Sequence, residues 1–162
     1  MSLEENKSLV RRYFEDAPYN PDVCNEIFAS SFLFHTIQHA NGTSQVQESS
    51  PEREKEAYEW LKTAWGSWGM TVDEMMAEGD RVMVRWTHRG TQQSEIRGLP
   101  PTYKQVTYSG INIFRVAEGK IAEVWDIYDR LWLWQQLDVL PDLTDAVAKA
   151  RETMLSQSTQ TE

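Results

Sequence analysis

Cysteine is scarce in this chain: Cys24 is the only one among 162 residues. One cysteine can form neither an intrachain disulfide nor a cluster of thiolate metal ligands, which excludes a disulfide-stapled domain and a cysteine-rich zinc site. Long apolar runs are also missing, since none approaches the ~20 residues of a membrane-spanning helix. The N-terminal residues are acidic and polar, unlike a secretory signal. We therefore expect a cytoplasmic protein with no membrane partner.

Positive charge is the next shortage. The 16 Lys and Arg against 25 Asp and Glu give a net charge of −9. Nucleic acids need clustered positive charge on their partner, so the balance argues against one here. Hydrophobic residues make up 40% of the chain, enough for a real core. We expect a single domain over residues 1–155, followed by a polar tail over residues 156–162.

Common catalytic signatures are also lacking. The sequence has no GxGxxG, GxxxxGK[ST], HExxH or GxSxG pattern, so nucleotide, zincin and serine-hydrolase functions have no support. His35 and His39 are four residues apart, a ligand-like spacing only on a helix. This segment is typical of a strand running into a loop, and no metal site is predicted. What the chain has in excess is tryptophan, seven in all, which indicates a large apolar cavity or interface.

Helices are predicted in the first half of the chain. Ser2 and Glu5 form a possible capping box for the first helix, and Asn20-Pro21 begins a short second one. Ser50-Pro51 begins a third, whose apolar stripe continues through Trp65 to Trp68. A strand over Ser31–Ile37 and a loop over Gln38–Ser50 separate the second helix from the third.

After Gly69 the apolar period changes from 3.6 toward 2, which predicts strands. The four expected strands are Met70–Ala77, Arg81–Thr91, Lys104–Val116 and Lys120–Tyr128. Two helices should follow, one capped by Asp129 and one opened by Pro141. Helices segregated from an antiparallel meander predict an α+β fold, and a curved sheet around a Trp-bearing helix would leave a cone-shaped pocket for a hydrophobic small molecule.

Asp126 is the strongest candidate for chemistry, because it lies within an apolar strand. A type I turn with a glycine bulge at Glu118-Gly119 would place Gly110 opposite Asp126, leaving room for a ligand. Even-numbered residues would then share one face: Tyr108, Gly110, Asn112, Phe114, Val124, Asp126 and Tyr128. Partial burial would raise the pKa of Asp126 toward a range useful for proton transfer. The alternative is an edge-exposed or structurally hydrogen-bonded Asp126.

Other polar side chains have both functional and structural interpretations. His35 would line the pocket or be a core histidine bonded to backbone. Arg85 would orient a carbonyl or carboxylate, or simply be solvated. The tryptophans Trp65, Trp68, Trp86 and Trp125 are typical of a core or a pocket wall.

Several runs of the sequence resemble one known family, the SnoaL-like polyketide cyclases (ester cyclases). They are Ala77-Glu78-Gly79-Asp80-Arg81-Val82, Arg85-Trp86-Thr87-His88-Arg89-Gly90-Thr91, Gly98-Leu99-Pro100-Pro101-Thr102, Ser109-Gly110-Ile111-Asn112-Ile113-Phe114-Arg115, Gly119-Lys120-Ile121-Ala122-Glu123-Val124-Trp125 and Asp129. The resemblance extends from the first helix to about Leu137.

The resemblance implies the NTF2-like fold, a cone-shaped α+β barrel. It also implies a cofactor-free enzyme that closes a ring by intramolecular aldol condensation of a polyketide ester. The family's general acid/base aspartate falls at Asp126. A cavity histidine of the family falls at Asn112. Further departures are Gln92 for a frequent His, Tyr103 for a turn Gly, and Trp132 and Asp138 for glycines, and these reshape the pocket.

We therefore expect a cofactor-independent cyclase or isomerase of a lipophilic carbonyl-bearing metabolite. Asp126 would move the proton, with Asn112, Tyr108, Tyr128 and His35 holding the substrate oxygen. The side chains that would exclude water are Phe34, Trp65, Trp68, Trp86 and Phe114. The alternatives are a non-catalytic binding module, which Asn112 favours, an epoxide-opening or hydrolytic enzyme of the same fold, and a partner-binding domain using the helix over Leu131–Leu137. A homodimer is expected in each case.

Overall fold

A computed structural model of the chain describes residues 1–36 and 45–158. The backbone forms two compact units, Met1–Asp129 and Arg130–Glu162. The first unit contains α1 (Leu3–Glu15), α2 (Val23–Ile27), β1 (Phe28–Thr36), β2 (Gln45–Ser49), α3 (Pro51–Ala64), β3 (Trp65–Glu78), β4 (Arg81–Gln92), β5 (Gln105–Ala117) and β6 (Lys120–Tyr128). The second contains α4 (Arg130–Gln136) and α5 (Leu143–Ser158).

The six strands form one curved sheet in the order β2-β1-β6-β5-β4-β3. Every neighbouring pair is antiparallel except β1 and β6, which are parallel. The sheet is not closed, since β2 and β3 are its two edges. The predicted α+β class, a curved sheet on N-terminal helices, is confirmed.

Helices α1, α2 and α3 cover one face of the sheet, called the inner face here. On β4 and β5 this face carries the even-numbered residues, which are buried along both strands. Phe14 of α1 meets Phe114 of β5 edge-on, with ring centroids 5.9 Å apart. The predicted capping box begins α1: Ser2 Oγ accepts from the Glu5 amide at 3.2 Å, and Glu5 accepts from the Ser2 amide at 2.6 Å.

Two predicted boundaries were wrong near the third helix. The helix ends at Ala64, and both Trp65 and Trp68 belong to strand β3. Glycines 66 and 69 follow directly after the end of the helix, and each would cost about 1 kcal/mol in a helix interior. The pairing register shifts between Gly66 and Gly69, where Ser67 has a φ of 50°.

Residues 45–49, predicted as loop, form the edge strand β2. Its hydrogen bonds come from β1, a long-range pairing that local pattern does not reveal. The strand predicted from Ser31 begins at Phe28. His39 and the remainder of the predicted loop, up to residue 44, lie outside the described residues.

The second unit holds the two predicted C-terminal helices. Its α4 begins directly after Asp129, and α5 begins two residues after Pro141. Three apolar side chains of α5, those of Leu143, Val147 and Met154, are 60–70% exposed. Within the described ranges, no helix is long and apolar enough to cross a membrane.

Candidate active site

Asp126 lies on β6 directly opposite Asn112 of β5. The predicted register was two residues out. Glu118 and Gly119, with φ of 51° and 76°, form a two-residue turn that pairs Ala117 with Lys120, which accounts for one residue of the difference, and an irregularity in the strands accounts for the other. An irregularity follows, since Val116 pairs with Ile121 but Arg115 with Glu123. The parity survives, so the even-numbered residues share the inner face as predicted.

Asn112 lies between Trp86 and Asp126 on this face and is hydrogen-bonded to both side chains. Its Oδ1 accepts from Trp86 Nε1 at 2.5 Å, and its Nδ2 donates to Asp126 Oδ1 at 3.1 Å. The same Nδ2 donates to the carbonyl of Trp125 at 3.3 Å. Both amide hydrogens of Asn112 are thus engaged within the protein, and the bond to Asp126 fixes the position of that carboxyl group.

Gly110 pairs with Tyr128, so the prediction that it faces Asp126 was wrong. It also leaves no space for a ligand. A Cβ at this position would lie 2.3 Å from Cζ2 of Trp86 and 2.7 Å from the carbonyl oxygen of Ile127. The absence of a side chain at Gly110 instead admits the indole of Trp86.

An aromatic cluster surrounds this row of polar groups. The Tyr108 ring lies 6.0 Å from that of Trp86 and 5.5 Å from that of Tyr128, between centroids. Burial raises the pKa of the Tyr108 hydroxyl, with further contributions from Tyr128 and Asp126. Tyr108 is therefore a neutral hydrogen-bond donor at physiological pH.

Glu54 is a second inner carboxyl, and sequence analysis missed it. It projects from α3 and is only 7% exposed. Burial raises the pKa of Glu54 to about 7, and the negative charge of Asp126 adds to the rise. Hydrogen bonds with the side chains of Tyr13 and Ser49 act in the opposite direction. The available signal was a charged residue one helical turn before buried Tyr58, on the apolar stripe of α3.

His88 is the other missed residue. It lies on the inner face of β4, is 1% exposed, and pairs with Tyr108. Burial lowers the pKa of His88 to about 4, so its ring is neutral at physiological pH. Alternation along β4 places His88 on the same face as Trp86, and this shared face was the signal available in the sequence.

Two predicted site residues lie on the outer face. His35 pairs with Trp125, stacks on its ring at 4.7 Å, and its Nε2 lies 2.7 Å from Oε1 of Glu123. Arg85 is bonded to Asp73 at 3.2 Å and also contacts Glu74. Successive strand residues point to opposite faces, which separates both from Asp126.

The remaining predicted residues divide between core and inner face. Phe114 is fully buried and in ring contact with Tyr13 and Phe14, so it belongs to the core under α1. Phe34 pairs with Val124 on the inner face. Trp65 and Trp68 both contact His88.

The polar side chains of this site favour acid–base chemistry. The described residues contain no group of three His, Cys, Asp or Glu side chains that could hold a metal ion. A half-buried carboxyl, a neutral phenol and a second carboxyl with a raised pKa can accept, hold and return a proton.

Comparison with solved structures places this geometry among known folds. AclR from Streptomyces galilaeus, a proposed hydroxylase, is 25% identical, with a TM-score of 0.75 over 92% of this chain and 95% of its own. IdmH from Streptomyces antibioticus, a proposed polyketide cyclase, is 25% identical with a TM-score of 0.66, covering 83% and 99%. A proposed SnoaL-like polyketide cyclase from Jannaschia sp. CCS1 is 24% identical with a TM-score of 0.71, covering 85% and 94%.

No curated protein sequence matches the chain. The family model for SnoaL-like polyketide cyclases matches residues 8–137, which include all six strands of the sheet, helices α2 to α4, most of α1 and every residue of the candidate site. The chain belongs to the SnoaL-like polyketide cyclase family.

Proposed function

We propose that this protein is a cofactor-independent cyclase or isomerase that closes a ring in a lipophilic, carbonyl-bearing metabolite of the polyketide type. Family membership and the IdmH-like fold support a cyclase in general. The observation that carries the finer proposal is the Asp126–Asn112 pair, bonded at 3.1 Å on an inner face lined by aromatic rings.

Asp126 is the proposed general acid/base. Its carboxylate removes a proton from a carbon flanked by carbonyl groups, which leaves an enolate. The enolate carbon attacks a second carbonyl of the same molecule, so that one carbon–carbon bond forms and an alkoxide develops. The protonated Asp126 then returns its proton to the alkoxide, and the product has the mass of the substrate. General acid–base help of this kind contributes about 10²–10⁴-fold.

Asn112 has a different proposed role from the one expected of it. Its amide hydrogens are already donated to Asp126 and to the Trp125 carbonyl, so it positions the carboxylate rather than the substrate oxygen. Tyr108 is the proposed donor to that oxygen. Its raised pKa keeps the hydroxyl protonated, so that it can donate a hydrogen bond.

Glu54 is the proposed partner that sets the charge of the site. Two nearby carboxyls resist ionising together, and the raised pKa of Glu54 reflects burial and that repulsion. With a pKa of about 7, Glu54 is protonated in a large share of the molecules near neutral pH, and its protonation removes one negative charge from the site.

The test is Asp126→Asn with a synthetic aromatic polyketide ester that bears an unclosed 1,3-dicarbonyl chain. The amide retains the size and the contact with Asn112 but cannot accept the proton. We expect kcat to fall at least 10²-fold with little change in affinity. Mass spectrometry and NMR of the product check that its mass is unchanged and its connectivity new.

Asp80→Asn is the matched control, since Asp80 is exposed in the β3–β4 turn. Unchanged turnover in Asp126→Asn contradicts the assignment of Asp126.

A non-catalytic binding module is the second candidate, and the engaged amide of Asn112 favours it. In the family resemblance this position is a cavity histidine, which can transfer protons, whereas an amide cannot. If the wild-type protein binds the ester and releases it unchanged, the binding module is the better description.

A further inference from the structure

His88 sits among aromatic rings without a polar partner. Trp65 meets it edge-on at 5.4 Å, Trp68 lies parallel at 6.1 Å, and Tyr108 lies at 4.7 Å, all between centroids. Neither ring nitrogen has a hydrogen-bond partner among the residues that the structure describes. Buried polar atoms are paired in most folded proteins, and an exception needs a ligand or water to explain it.

The backbone is adapted to bring these rings together. A Cβ on Gly90 would lie 3.1 Å from Cε1 of His88 and 3.1 Å from Cβ of Trp65. The neutral imidazole offers one N–H donor and one bare nitrogen as acceptor. A neutral imidazole suits an uncharged ligand oxygen on a flat ring system, because neither the imidazole nor the oxygen carries a charge that the buried site would have to neutralise.

We propose that His88 recognises a hydroxyl or carbonyl oxygen of a flat conjugated ligand, at the end of the ligand remote from Asp126. This assignment rests on the proposed function, which supplies the ligand's reacting end. Tyr108, the cross-strand partner of His88, is four residues from Asn112 along β5, or about 13 Å. A ligand that reaches both sites therefore has the length of a few fused rings.

Trp68 is the ring through which a ligand would reach His88. It is half-buried, while Trp65 and Tyr108 are buried. It lies on the sheet's edge strand, within the irregularity between Gly66 and Gly69. A Cβ on Gly69 would meet nothing within 4 Å, so the backbone beside Trp68 has open space.

The experiment compares 2-naphthol with 2-methylnaphthalene, two probes of similar size that differ in the hydroxyl. Calorimetry gives the ratio of their affinities for the wild type and for His88→Phe. One neutral hydrogen bond changes this ratio about 2- to 10-fold, and we expect that loss in His88→Phe. His35→Phe, a histidine on the outer face, is the matched control and should keep the wild-type ratio.

Wild-type protein labelled with ¹⁵N provides a readout that needs no variant. Adding 2-naphthol should shift a ring-nitrogen resonance of His88, and 2-methylnaphthalene should not. An unchanged ratio in His88→Phe, or an unshifted His88 resonance, overturns the proposal. A merely structural histidine would lower the melting temperature on substitution, whereas a ligand-serving one should leave it unchanged or raise it.

Asp126→Asn separates this proposal from the proposed function. It should abolish turnover of the ester while keeping the affinity ratio of the two probes. Retained turnover contradicts the function of Asp126 and leaves the His88 result standing. A ratio lost only in Asp126→Asn contradicts the His88 assignment.

Discussion

At the scale of single residues, Gly110 controls the geometry around Asp126. The indole of Trp86 lies against its Cα, and from there Trp86 Nε1 donates to Asn112, which donates to Asp126. Because each member orients the next, the position of the acid depends on a glycine two residues along the neighbouring strand.

Gly110→Ala should therefore destabilise the fold and disturb the site together. The new methyl group would meet both the Trp86 ring and the Ile127 carbonyl oxygen, and the backbone atom cannot move away cheaply. We expect a loss of about 1–3 kcal/mol in the free energy of unfolding, measured by urea denaturation. Gly69→Ala is the control, with no atom within 4 Å of its Cβ, and should be neutral. Equal stability of the two variants would contradict this account.

The shared face of Asn112 and Asp126 could be predicted from the sequence, but the residues paired across the strands could not. Alternation placed Asn112 and Asp126 on one face because the strand period is two, and the two-residue register error preserved that parity. The turn type could not be predicted, since Glu118 adopts a positive φ that its identity does not suggest. Glu54 was missed because Tyr13 and Asp126, two of the groups that act on it, come from distant segments of the chain.

At the scale of elements, the connection from β4 to β5 is fixed by one buried side chain. Gln92 accepts from the amide of Thr102 and donates to the carbonyls of Ser94 and Pro100. The amide of Tyr103 in turn donates to the Gln92 carbonyl at 3.0 Å. These bonds hold Tyr103 at a φ of 56°, at the position of the turn glycine in the family pattern described above.

Tyr103→Gly should relieve that backbone strain. A non-glycine residue in the left-handed region costs about 1–2 kcal/mol, and glycine gives back about 0.5–1 kcal/mol through its greater freedom when unfolded. The ring is 72% exposed, so little packing is lost. We expect Tyr103→Gly to exceed Tyr103→Ala in stability by about 1 kcal/mol in urea denaturation. An alanine variant as stable as the glycine variant would show that the turn is unstrained.

Element boundaries were least predictable where long-range pairing decides them. Trp65 and Trp68 continue the apolar spacing of α3, yet both belong to β3, whose residues on either side of Trp68 pair with β4. The same holds for β2, which has polar composition and is a strand because β1 supplies its partners. The strands β4, β5 and β6, which follow one another through the chain, were predicted within one residue of their observed bounds, whereas β3 begins five residues earlier than predicted.

At the scale of the whole molecule, two buried groups give the stability opposite dependences on pH. Glu54 has a pKa of about 7 in the fold against an ordinary value of 4.5, so the fold holds its proton more tightly. Its contribution is present below about pH 4.5 and is lost as the pH rises to about 7. His88 has a pKa of about 4 against 6.5, so its contribution is lost as the pH falls from about 6.5 to about 4.

The two slopes should cancel between about pH 4.5 and 6.5. Each amounts to about 1.4 kcal/mol per pH unit at most, with opposite signs. Relative to wild type, Glu54→Gln should become steadily more stable as the pH rises through this window, because only the His88 slope remains. His88→Phe should become steadily less stable.

Urea denaturation at pH 4.5, 5.5 and 6.5 measures both slopes, and the double variant should return to the wild-type dependence. Other titrating groups are common to all four proteins and cancel in the differences. A Glu54→Gln profile parallel to that of wild type would mean that Glu54 ionises in the fold as it does in water. The carboxyl pair proposed for the site would then lose its charge-setting member.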